Sequence, residues 1–377
     1  MININMLLLM GIISFIVCGI GVLLVIKKLT VLDVPNNRSS HTTPTPRGGG
    51  IAIVFTIIAS FIILNLFDID TVWKVPPHKY EIWVILGCFL MLAAVSFIDD
   101  LKGLSFAIRL FFHFAAATAA VAIIPLEAKL TPDFIPLIAE RVALVFLLVW
   151  FINLYNFMDG IDGITAIETI SIGAGLFGLF IINFLPLYLG AYGLFIAFAA
   201  LAFLFFNWHP AKIFMGDVGS ISLGFILGWL LLKTAYEGNW TAAVILPLYY
   251  LIDATSTLVL RILQRKKPWE AHKDHFYQKL HQKGFSHSEI SLTILRINAV
   301  LVFFAITSCF NYKVIYMSLI YVSFMIYKSI KAGQPEKTYK EIKNDVISGI
   351  KSEFTEAKNN INIILDKNKN NKDDHND

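Results

Sequence analysis

Apolar residues fall into eleven long runs that short polar stretches separate. The runs cover approximately residues 6–26, 49–67, 81–98, 106–125, 138–154, 164–184, 187–206, 218–233, 240–260, 291–310 and 314–329. Most approach the roughly 20 residues that a helix needs to cross the hydrocarbon core of a bilayer, and they are too continuous for the alternating strands of a membrane barrel. The pattern predicts an all-α, polytopic integral membrane protein with about 11 transmembrane helices.

Composition agrees with a location in the lipid bilayer. Of the 377 residues, 56% are hydrophobic and only 15% are charged, whereas soluble domains have about 25% charged residues. Lys27 and Lys28 follow the first run, which has no basic segment before it and no small-residue cleavage site after it. We therefore interpret it as a retained helix rather than a signal peptide. The three cysteines lie inside apolar runs and suggest neither a disulfide nor a metal framework.

Basic residues collect in alternate polar stretches, after the first, third, seventh, ninth and eleventh runs. The stretch after the ninth run carries Arg261, Arg265, Lys266, Lys267, Lys273, Lys279 and Lys283. Short cytoplasmic loops of membrane proteins are enriched in Lys and Arg. The distribution predicts that the N-terminus is outside and that the C-terminus is cytoplasmic.

The composition changes after the last apolar run. Residues 331–377 carry nine Lys and nine acidic residues. Apolar residues recur there at helical spacing, namely Ile342, Val346, Ile350, Phe354, Ala357, Ile361 and Leu365. We predict a transmembrane domain over residues 1–330 and a charged cytoplasmic tail over residues 331–377, with an amphipathic helix followed by a disordered end. A solvated tail without a specific task is the alternative.

Polar residues form five clusters, and all five fall on the predicted cytoplasmic side. The clusters cover residues 33–50, 99–103, 153–163, 207–220 and 272–284. A transporter is expected to spread its ionisable residues through the middle of the membrane. One shallow polar layer instead suits a site that is open to the cytoplasm and to one leaflet.

The residue types in this layer indicate phosphate and metal chemistry. Its carboxylates are Asp99, Asp100, Asp159, Asp162 and Asp217. So many negative charges repel one another unless they share a cation, and oxygen ligands favour Mg²⁺, with Mn²⁺ as an alternative. The backbone N–H groups of residues 216–220 suit a phosphate at a helix N-terminus. Further phosphate oxygens can be bound by Lys102, Arg47, His272 and His275. Together these features suggest phosphoryl transfer involving a lipid phosphate.

Each cluster taken alone has a simpler interpretation. Asp99-Asp100 is compatible with a solvated turn, and Asp217 is compatible with a helix cap. Their joint occurrence on one face favours the chemical interpretation for the carboxylates. It does not decide the roles of Arg109, His113 or His209.

Four motifs occur in a fixed order, and together they resemble one enzyme superfamily. They are DDLK from Asp99, NLYNFMDGIDG from Asn153, FMGDVGS from Phe214 and the late histidine motif. This set is similar to the polyprenyl-phosphate N-acetylhexosamine-1-phosphate transferases, and the similarity covers about residues 5–330. The resemblance is strongest to enzymes that start surface polysaccharides.

The resemblance implies an eleven-span fold in the bacterial inner membrane with the active site on the cytoplasmic face. It implies a Mg²⁺-dependent reaction in which undecaprenyl phosphate and a UDP-N-acetylhexosamine give undecaprenyl-diphosphate-sugar and UMP. A homodimer is a further possibility, and no nucleic acid is expected as a partner. The resemblance implies that Asp217 binds Mg²⁺ and that Asp99 and Asp100 deprotonate or orient the lipid phosphate. It implies central active-site positions for Asn156 and Asp159. It further implies that Phe214 contacts uracil, Asn207 contacts the nucleotide and His275 binds phosphate.

Two departures from the family pattern bear on the substrate. The late motif reads His272-Lys-Asp-His275, which leaves open which histidine is the main counterpart. His41 stands near the place where the peptidoglycan enzyme has a lysine. Both favour an enzyme that uses a free UDP-N-acetylsugar. The alternatives are a phospho-MurNAc-pentapeptide transferase of peptidoglycan synthesis and, less favoured, a lipid-phosphate or nucleotide-sugar transporter. Of Asp159 and Asp162, we favour Asp159 as the residue that contacts a reactant.

Overall fold

The computed structural model describes residues 4–28, 32–33, 44–66, 80–267, 272–331 and 333. Its helices are α1 (Ile4–Lys28), α2 (Gly50–Leu66), α3 (Glu81–Lys102), α4 (Phe106–Ala122), α5 (Leu137–Phe157), α6 (Ile164–Ile181), α7 (Leu187–Asn207), α8 (Asp217–Thr234), α9 (Trp240–Ile245), α10 (Leu248–Leu263), α11 (Phe276–Gln282), α12 (His287–Ser308) and α13 (Val314–Lys331). A π-helical turn, Ala235–Asn239, joins α8 to α9. Strands β1 (Leu32–Asp33) and β2 (Thr45–Pro46) form a two-residue antiparallel ladder. The predicted tail helix and His41 lie outside the described residues.

The helical class predicted from the apolar runs is confirmed. Within the described residues, eight helical stretches are long and apolar enough to cross a membrane, and α2 and α4 are shorter apolar helices. Each of the eleven predicted runs contains helix. The count of eleven spans and the orientation of the termini stay predictions.

The prediction of one continuous span over residues 240–260 is wrong. The π-helical turn contains Gly238 with φ 91°, a left-handed conformation that glycine adopts without steric cost. Helix α9 then ends at Ile245, and Pro247 precedes the first residue of α10. Proline lacks a backbone N–H and its ring collides with the preceding turn, so the helix is interrupted there.

Helix α8 is the centre of the bundle. It packs against α2, α3, α5, α6 and α7, and nearly all of its residues are buried. Small residues allow this close packing: a Cβ added at Gly224 would lie 3.0 Å from the Ile152 Cα atom in α5. Close approach over small residues is a usual way to pack helices in a membrane, where the lipid is as apolar as the helices. By contrast α1 and α13 leave many apolar side chains exposed, as helices facing lipid do.

The described parts of the five polar clusters meet at one end of this bundle. Helices α3, α5, α7 and α10 end there, and α4, α6, α8 and α12 begin there. The opposite end also holds ionisable groups, which the loop composition did not predict. Lys233 and Glu81 form a buried pair at 3.1 Å, and Glu140 accepts hydrogen bonds from Thr131. These groups are paired within the protein, as burial in a membrane requires.

Candidate active site

A set of backbone hydrogen bonds, which we call the backbone zipper, joins residues 46–50 of the first polar cluster to residues 214–215 of the fourth. The Phe214 N–H donates to the Pro46 carbonyl at 2.8 Å, and the Gly49 N–H donates to the Phe214 carbonyl at 2.9 Å. The starts of α2 and α8 touch just beyond, since a Cβ at Gly50 would lie 2.3 Å from the Gly219 Cα atom. The zipper thereby brings Arg47 beside the first turn of α8.

Three carboxylates and two guanidinium groups form what we call the acidic-arginine cluster: Asp99, Asp100, Asp217, Arg47 and Arg109. Arg47 pairs with Asp217 at 2.7 Å and with Asp100 at 2.9 Å. Arg109 pairs with Asp99 at 3.1 Å and lies 3.7 Å from Asp217. The sequence predicts a bound cation that relieves the repulsion among the carboxylates. The two arginines already offset part of that repulsion. Three negative charges against two positive charges still leave a site that attracts a cation.

The two neighbouring aspartates of this cluster have different surroundings. Asp99 is fully engaged, because one oxygen accepts from the Leu104 N–H at 2.5 Å and the other pairs with Arg109. Asp100 uses its Oδ1 for Arg47, whereas its buried Oδ2 has no hydrogen-bond partner among the described residues. A Cβ at Gly216 would lie 3.0 Å from that oxygen. The Asp100 carboxylate also faces the backbone N–H groups of Asp217 and Val218 in the first turn of α8.

The central motif leaves the helix before its aspartates. Helix α5 ends at Phe157 and α6 begins at Ile164, so Asp159 lies in the loop between them. Asn156, in the last turn of α5, accepts from the Ser220 hydroxyl of α8 at 2.7 Å. Burial and the nearby charge of Asp217 raise the pKa of Asp159 to about 6, although the Thr165 hydroxyl and Arg47 act against the shift. Asp159 thus shares an electrostatic environment with the acidic-arginine cluster.

Asp162, three residues later, is turned toward histidines. Its Oδ2 lies 2.6 Å from the His209 Nδ1 and 3.3 Å from the His287 Nδ1, and it accepts from the Ala211 N–H at 3.2 Å. Burial alone would raise the pKa of Asp162, but the hydrogen bonds from the two histidines hold it below its ordinary value. Asp162 is therefore engaged by the two histidines, and the contact of Asp159 with a reactant stays a prediction.

Asn207 joins the two loops on either side of this motif. Its Oδ1 accepts from the Gly163 N–H at 2.9 Å, and its Nδ2 donates to the Ile213 carbonyl at 2.9 Å. Both polar ends of this buried amide are therefore engaged within the protein. Its predicted nucleotide contact stays a prediction, and its observed contacts position the loops.

The late histidine segment is anchored by a residue that the sequence interpretation missed. Asp253, fully buried in α10, lies 3.2 Å from the His275 Nδ1 and accepts from the Phe276 N–H at 2.9 Å. Two residues beyond His275, the Tyr277 hydroxyl donates to the Phe157 carbonyl at 3.2 Å. The Tyr277 hydroxyl fits only because residue 160 is glycine, since a Cβ there would lie 2.0 Å from it. These contacts hold His275 beside the central motif.

The other predicted ligands lie around this core. His272 is half-buried with its ring 5.0 Å from that of His275, and burial together with the charges of His275 and Arg261 lowers its pKa to about 4. It is therefore neutral near pH 7 and offers a phosphate a hydrogen bond rather than a charge. Phe214 is partly buried beside Arg47. Lys102 is exposed at the end of α3 and forms no ion pair with the carboxylates of the described residues.

Asp253 was the main omission, and the role of Arg109 was left undecided. Asp253 interrupts an apolar run, and an acidic residue within a membrane segment is a signal of function or of a specific partner. Arg109 lies in the first turns of α4, four residues after Ser105, whose hydroxyl caps that helix. Arg109 and Asp99 lie on opposite sides of the short turn between α3 and α4. This closeness in the sequence could have suggested that they form an ion pair.

Comparison with known proteins agrees with this arrangement. The family model described as glycosyl transferase family 4 matches residues 82–235, which contain most of the predicted site. A probable undecaprenyl-phosphate N-acetylglucosaminyl 1-phosphate transferase of Bacillus subtilis is 27% identical over 315 residues, covering 77% of this chain and 82% of that protein. A decaprenyl-phosphate N-acetylglucosaminephosphotransferase of Mycolicibacterium smegmatis is 27% identical, over 73% of this chain and 75% of that protein.

A relative from the peptidoglycan branch is also similar. A phospho-N-acetylmuramoyl-pentapeptide-transferase of Solidesulfovibrio magneticus is 30% identical, over 52% of this chain and 61% of that protein. The four ordered motifs, the helical membrane fold and these matches agree with one another. Residues 82–235 thus match glycosyl transferase family 4, and most of the chain is similar to proteins named as polyprenyl-phosphate N-acetylglucosamine phosphate transferases.

Proposed function

We propose that this protein transfers an N-acetylhexosamine 1-phosphate from a UDP-sugar to undecaprenyl phosphate. An oxygen of the lipid phosphate forms a bond to the sugar-bearing phosphorus. The bond from that phosphorus to the oxygen shared with the uridylyl phosphate breaks, and UMP leaves. The products are undecaprenyl-diphosphate-sugar and UMP, so phosphorus, charge and sugar are all accounted for.

The observation that carries this proposal is the acidic-arginine cluster beside Asp159. It joins the ends of α3 and α5 to the beginnings of α4 and α8. Two guanidinium groups can bind phosphate oxygens in bidentate fashion, and unshared carboxylate oxygen remains for a cation. Phosphoryl transfer depends largely on positioning and on electrostatic stabilisation of phosphate charge, which this cluster can provide.

The residues present fit the Mg²⁺ that the family resemblance implies. Asp217 and Asp100 would hold it, since the buried Oδ2 of Asp100 lacks a partner among the described residues and hard oxygen ligands suit this ion. Bound there, Mg²⁺ would neutralise diphosphate charge. The protein itself would orient both phosphates through Arg47 and Arg109. His275, fixed by Asp253, would bind phosphate from the side of α11.

The nucleophile needs little help from a base. The second pKa of a phosphate monoester is about 6, so undecaprenyl phosphate is mostly dianionic at neutral pH. Asp99, both of whose oxygens are engaged, would then act by holding Arg109 and the turn after α3. Asp100 and Asp159 are the carboxylates placed to face the reacting phosphates.

We place the reaction on the cytoplasmic face of a bacterial inner membrane, where it would start a cell-envelope polysaccharide. The basic residues at the predicted cytoplasmic ends support this side. The relatives named for N-acetylglucosamine phosphate transfer support UDP-N-acetylglucosamine as the first donor to test. The peptidoglycan relative keeps UDP-MurNAc-pentapeptide as the second.

The test is UMP release by the purified protein, with undecaprenyl phosphate and a panel of UDP-sugars. We expect release with a UDP-N-acetylhexosamine and none without the lipid phosphate. Preference for UDP-MurNAc-pentapeptide would assign the chain to the peptidoglycan branch. Binding or vesicle uptake of a UDP-sugar without UMP release would show a transporter instead. Arg296→Gln, a change outside the described site, serves as a control.

A further inference from the structure

Three residues outside the acidic-arginine cluster bring nitrogen and oxygen ligands to a single point. Asp162 comes from the loop after α5, His209 from the loop after α7 and His287 from the first residue of α12. One ligand atom from each lies within 4.8 Å of the other two. We call them the Asp-His-His cluster. Asp162 and His287 are buried, whereas His209 is exposed.

Hydrogen bonding alone leaves a conflict at His287. Its Nδ1 lies 3.3 Å from the Asp162 carboxylate, and a hydrogen bond between the two would need a proton on this nitrogen. The same Nδ1 lies 3.4 Å from the Asp162 backbone N–H, which requires a lone pair. One ring nitrogen cannot satisfy both. An unprotonated Nδ1 facing a carboxylate is stable when the two share a cation.

The spacing of these atoms is close to that of a tetrahedral site. With bonds of about 2.0–2.1 Å, neighbouring ligand atoms in such a site are roughly 3.3 Å apart. The distance from the Asp162 Oδ2 to the His287 Nδ1 is 3.3 Å, and the distance to the His209 Nδ1 is 2.6 Å. His209 would therefore have to move outward by less than about 1 Å. Its exposed ring leaves room for this movement.

The donor set selects a different ion from the one proposed for Asp217. Two imidazoles and one carboxylate suit Zn²⁺ and neighbouring late first-row dications, whereas Mg²⁺ prefers oxygen ligands only. We propose that the Asp-His-His cluster binds one zinc-class dication. A fourth position stays open to water on the side of His209.

This ion would link three segments of the chain. It would tie the loop that carries Asp159 to the loop that leads to Asp217 and to the start of α12. The Ser291 hydroxyl, one turn into α12, already donates to the Asp162 carbonyl at 2.8 Å. The ion would therefore strengthen an existing junction next to the active site. This inference concerns residues that the proposed transfer reaction does not use.

Cobalt substitution of the full chain in detergent tests the proposal. We expect metal-depleted protein to bind about one Co²⁺ and to show the visible bands of tetrahedral cobalt. Excess Zn²⁺ should abolish these bands, and Mg²⁺ should not. His209→Gln and His287→Gln should each lose them. His281→Gln should keep them, because the His281 ring packs on His287 while its Nδ1 is bonded to the Phe285 carbonyl.

A gain-of-signal variant covers the case in which the His287 variant fails to fold. His209→Cys keeps a ligand at an exposed position, so bound Co²⁺ should acquire a thiolate charge-transfer band. Wild-type protein provides the baseline, since Cys18 and Cys88 lie within α1 and α3, and Cys309 follows the end of α12 that is far from His287. Absence of tetrahedral cobalt bands from wild type, or their retention in both glutamine variants, would overturn the proposal. UMP release measured on the same samples distinguishes this outcome from failure of the proposed transfer reaction.

Discussion

The aspartates of this site differ in their hydrogen-bond partners and in the charges around them. Asp99 and Asp100 are neighbours in the sequence, yet only Asp100 keeps a buried oxygen without a partner among the described residues. Asp159 and Asp162 are three residues apart, yet one lies in the field of Asp217 and the other contacts two histidines. The residue types alone would predict the same role for both members of each pair. The contacts show that the two members have different surroundings.

The first prediction concerns the two neighbouring aspartates. Asp100→Asn should lower kcat for UMP release by about 10²-fold or more, because it removes a carboxylate charge from the proposed metal and phosphate site. Asp99→Asn should cost roughly tenfold less, since an amide can still accept the Leu104 N–H. Steady-state kinetics at saturating lipid phosphate provides the comparison. Equal losses in two well-folded variants would mean that Asp99 also touches a reactant.

The second prediction uses the pKa of Asp159. Burial raises it from 3.8 to about 6, so the folded protein binds this proton more tightly than the unfolded chain does. Ionisation at neutral pH therefore lowers stability, and the loss disappears as pH falls through 6 toward 4. Asp159→Asn should raise the Tm at neutral pH, by an amount that corresponds to roughly 1–2 kcal/mol.

The sign of this effect is tested by melting wild type and Asp159→Asn across a pH series. The advantage of the variant should shrink toward mildly acidic pH, where the wild-type carboxyl is protonated. A difference in Tm that grows on acidification would contradict the assigned direction. Activity should be lost at every pH.

At the scale of the element, helix ends rather than helix faces assemble the site. Gly160 and Tyr277 illustrate this: the hydroxyl of α11 reaches the carbonyl of Phe157, 120 residues earlier in the chain. Only a glycine at residue 160 leaves room for the Tyr277 hydroxyl. The short helix α11, and His275 just before it, are thereby held against the central motif.

The third prediction follows from this contact. Gly160→Ala should displace α11 and lower UMP release by about 10²-fold, because a small misplacement of a phosphate ligand has a large cost. Tyr277→Phe in the same chain should restore part of the activity, since it removes the atom that the Cβ would meet. Gly87→Ala, at a position with open space, is the matched control. Full activity of Gly160→Ala would show that α11 does not position His275.

The sequence predicted the helices from the apolar runs. It also predicted most of the carboxylate site, because the end of an apolar run marks the end of a helix and the carboxylates lie at such ends. It placed Asp99, Asp100, Asn156 and Asp217 at such ends, where the structure finds them. It did not identify Asp253, whose partners lie 22 to 24 residues further along the chain. Pairing between distant segments leaves no periodic signal. The same reason explains why the Asp-His-His cluster, joined across 47 and 125 residues, emerged only from the structure.

At the scale of the whole molecule, the polar layer lies at one end of a bundle built around α8. The fourth prediction is its orientation, with the N-terminus outside and the active site facing the cytoplasm. Reporter fusions after Lys28 and after Lys102 should both be cytoplasmic, because both residues end helices beside the polar layer. Opposite locations for these two fusions would contradict the placement of all five clusters on one side.

The fifth prediction concerns the reaction itself and uses a UDP-N-acetylglucosamine labelled with ³²P at the phosphate attached to the sugar. Incubation with undecaprenyl phosphate and Mg²⁺ should move the label into the organic phase in wild type. Asp217→Asn should leave it in water, and Arg296→Gln should behave as wild type does. Sugar in the organic phase without the labelled phosphate, or undiminished transfer by Asp217→Asn, would contradict sugar-phosphate transfer at this site.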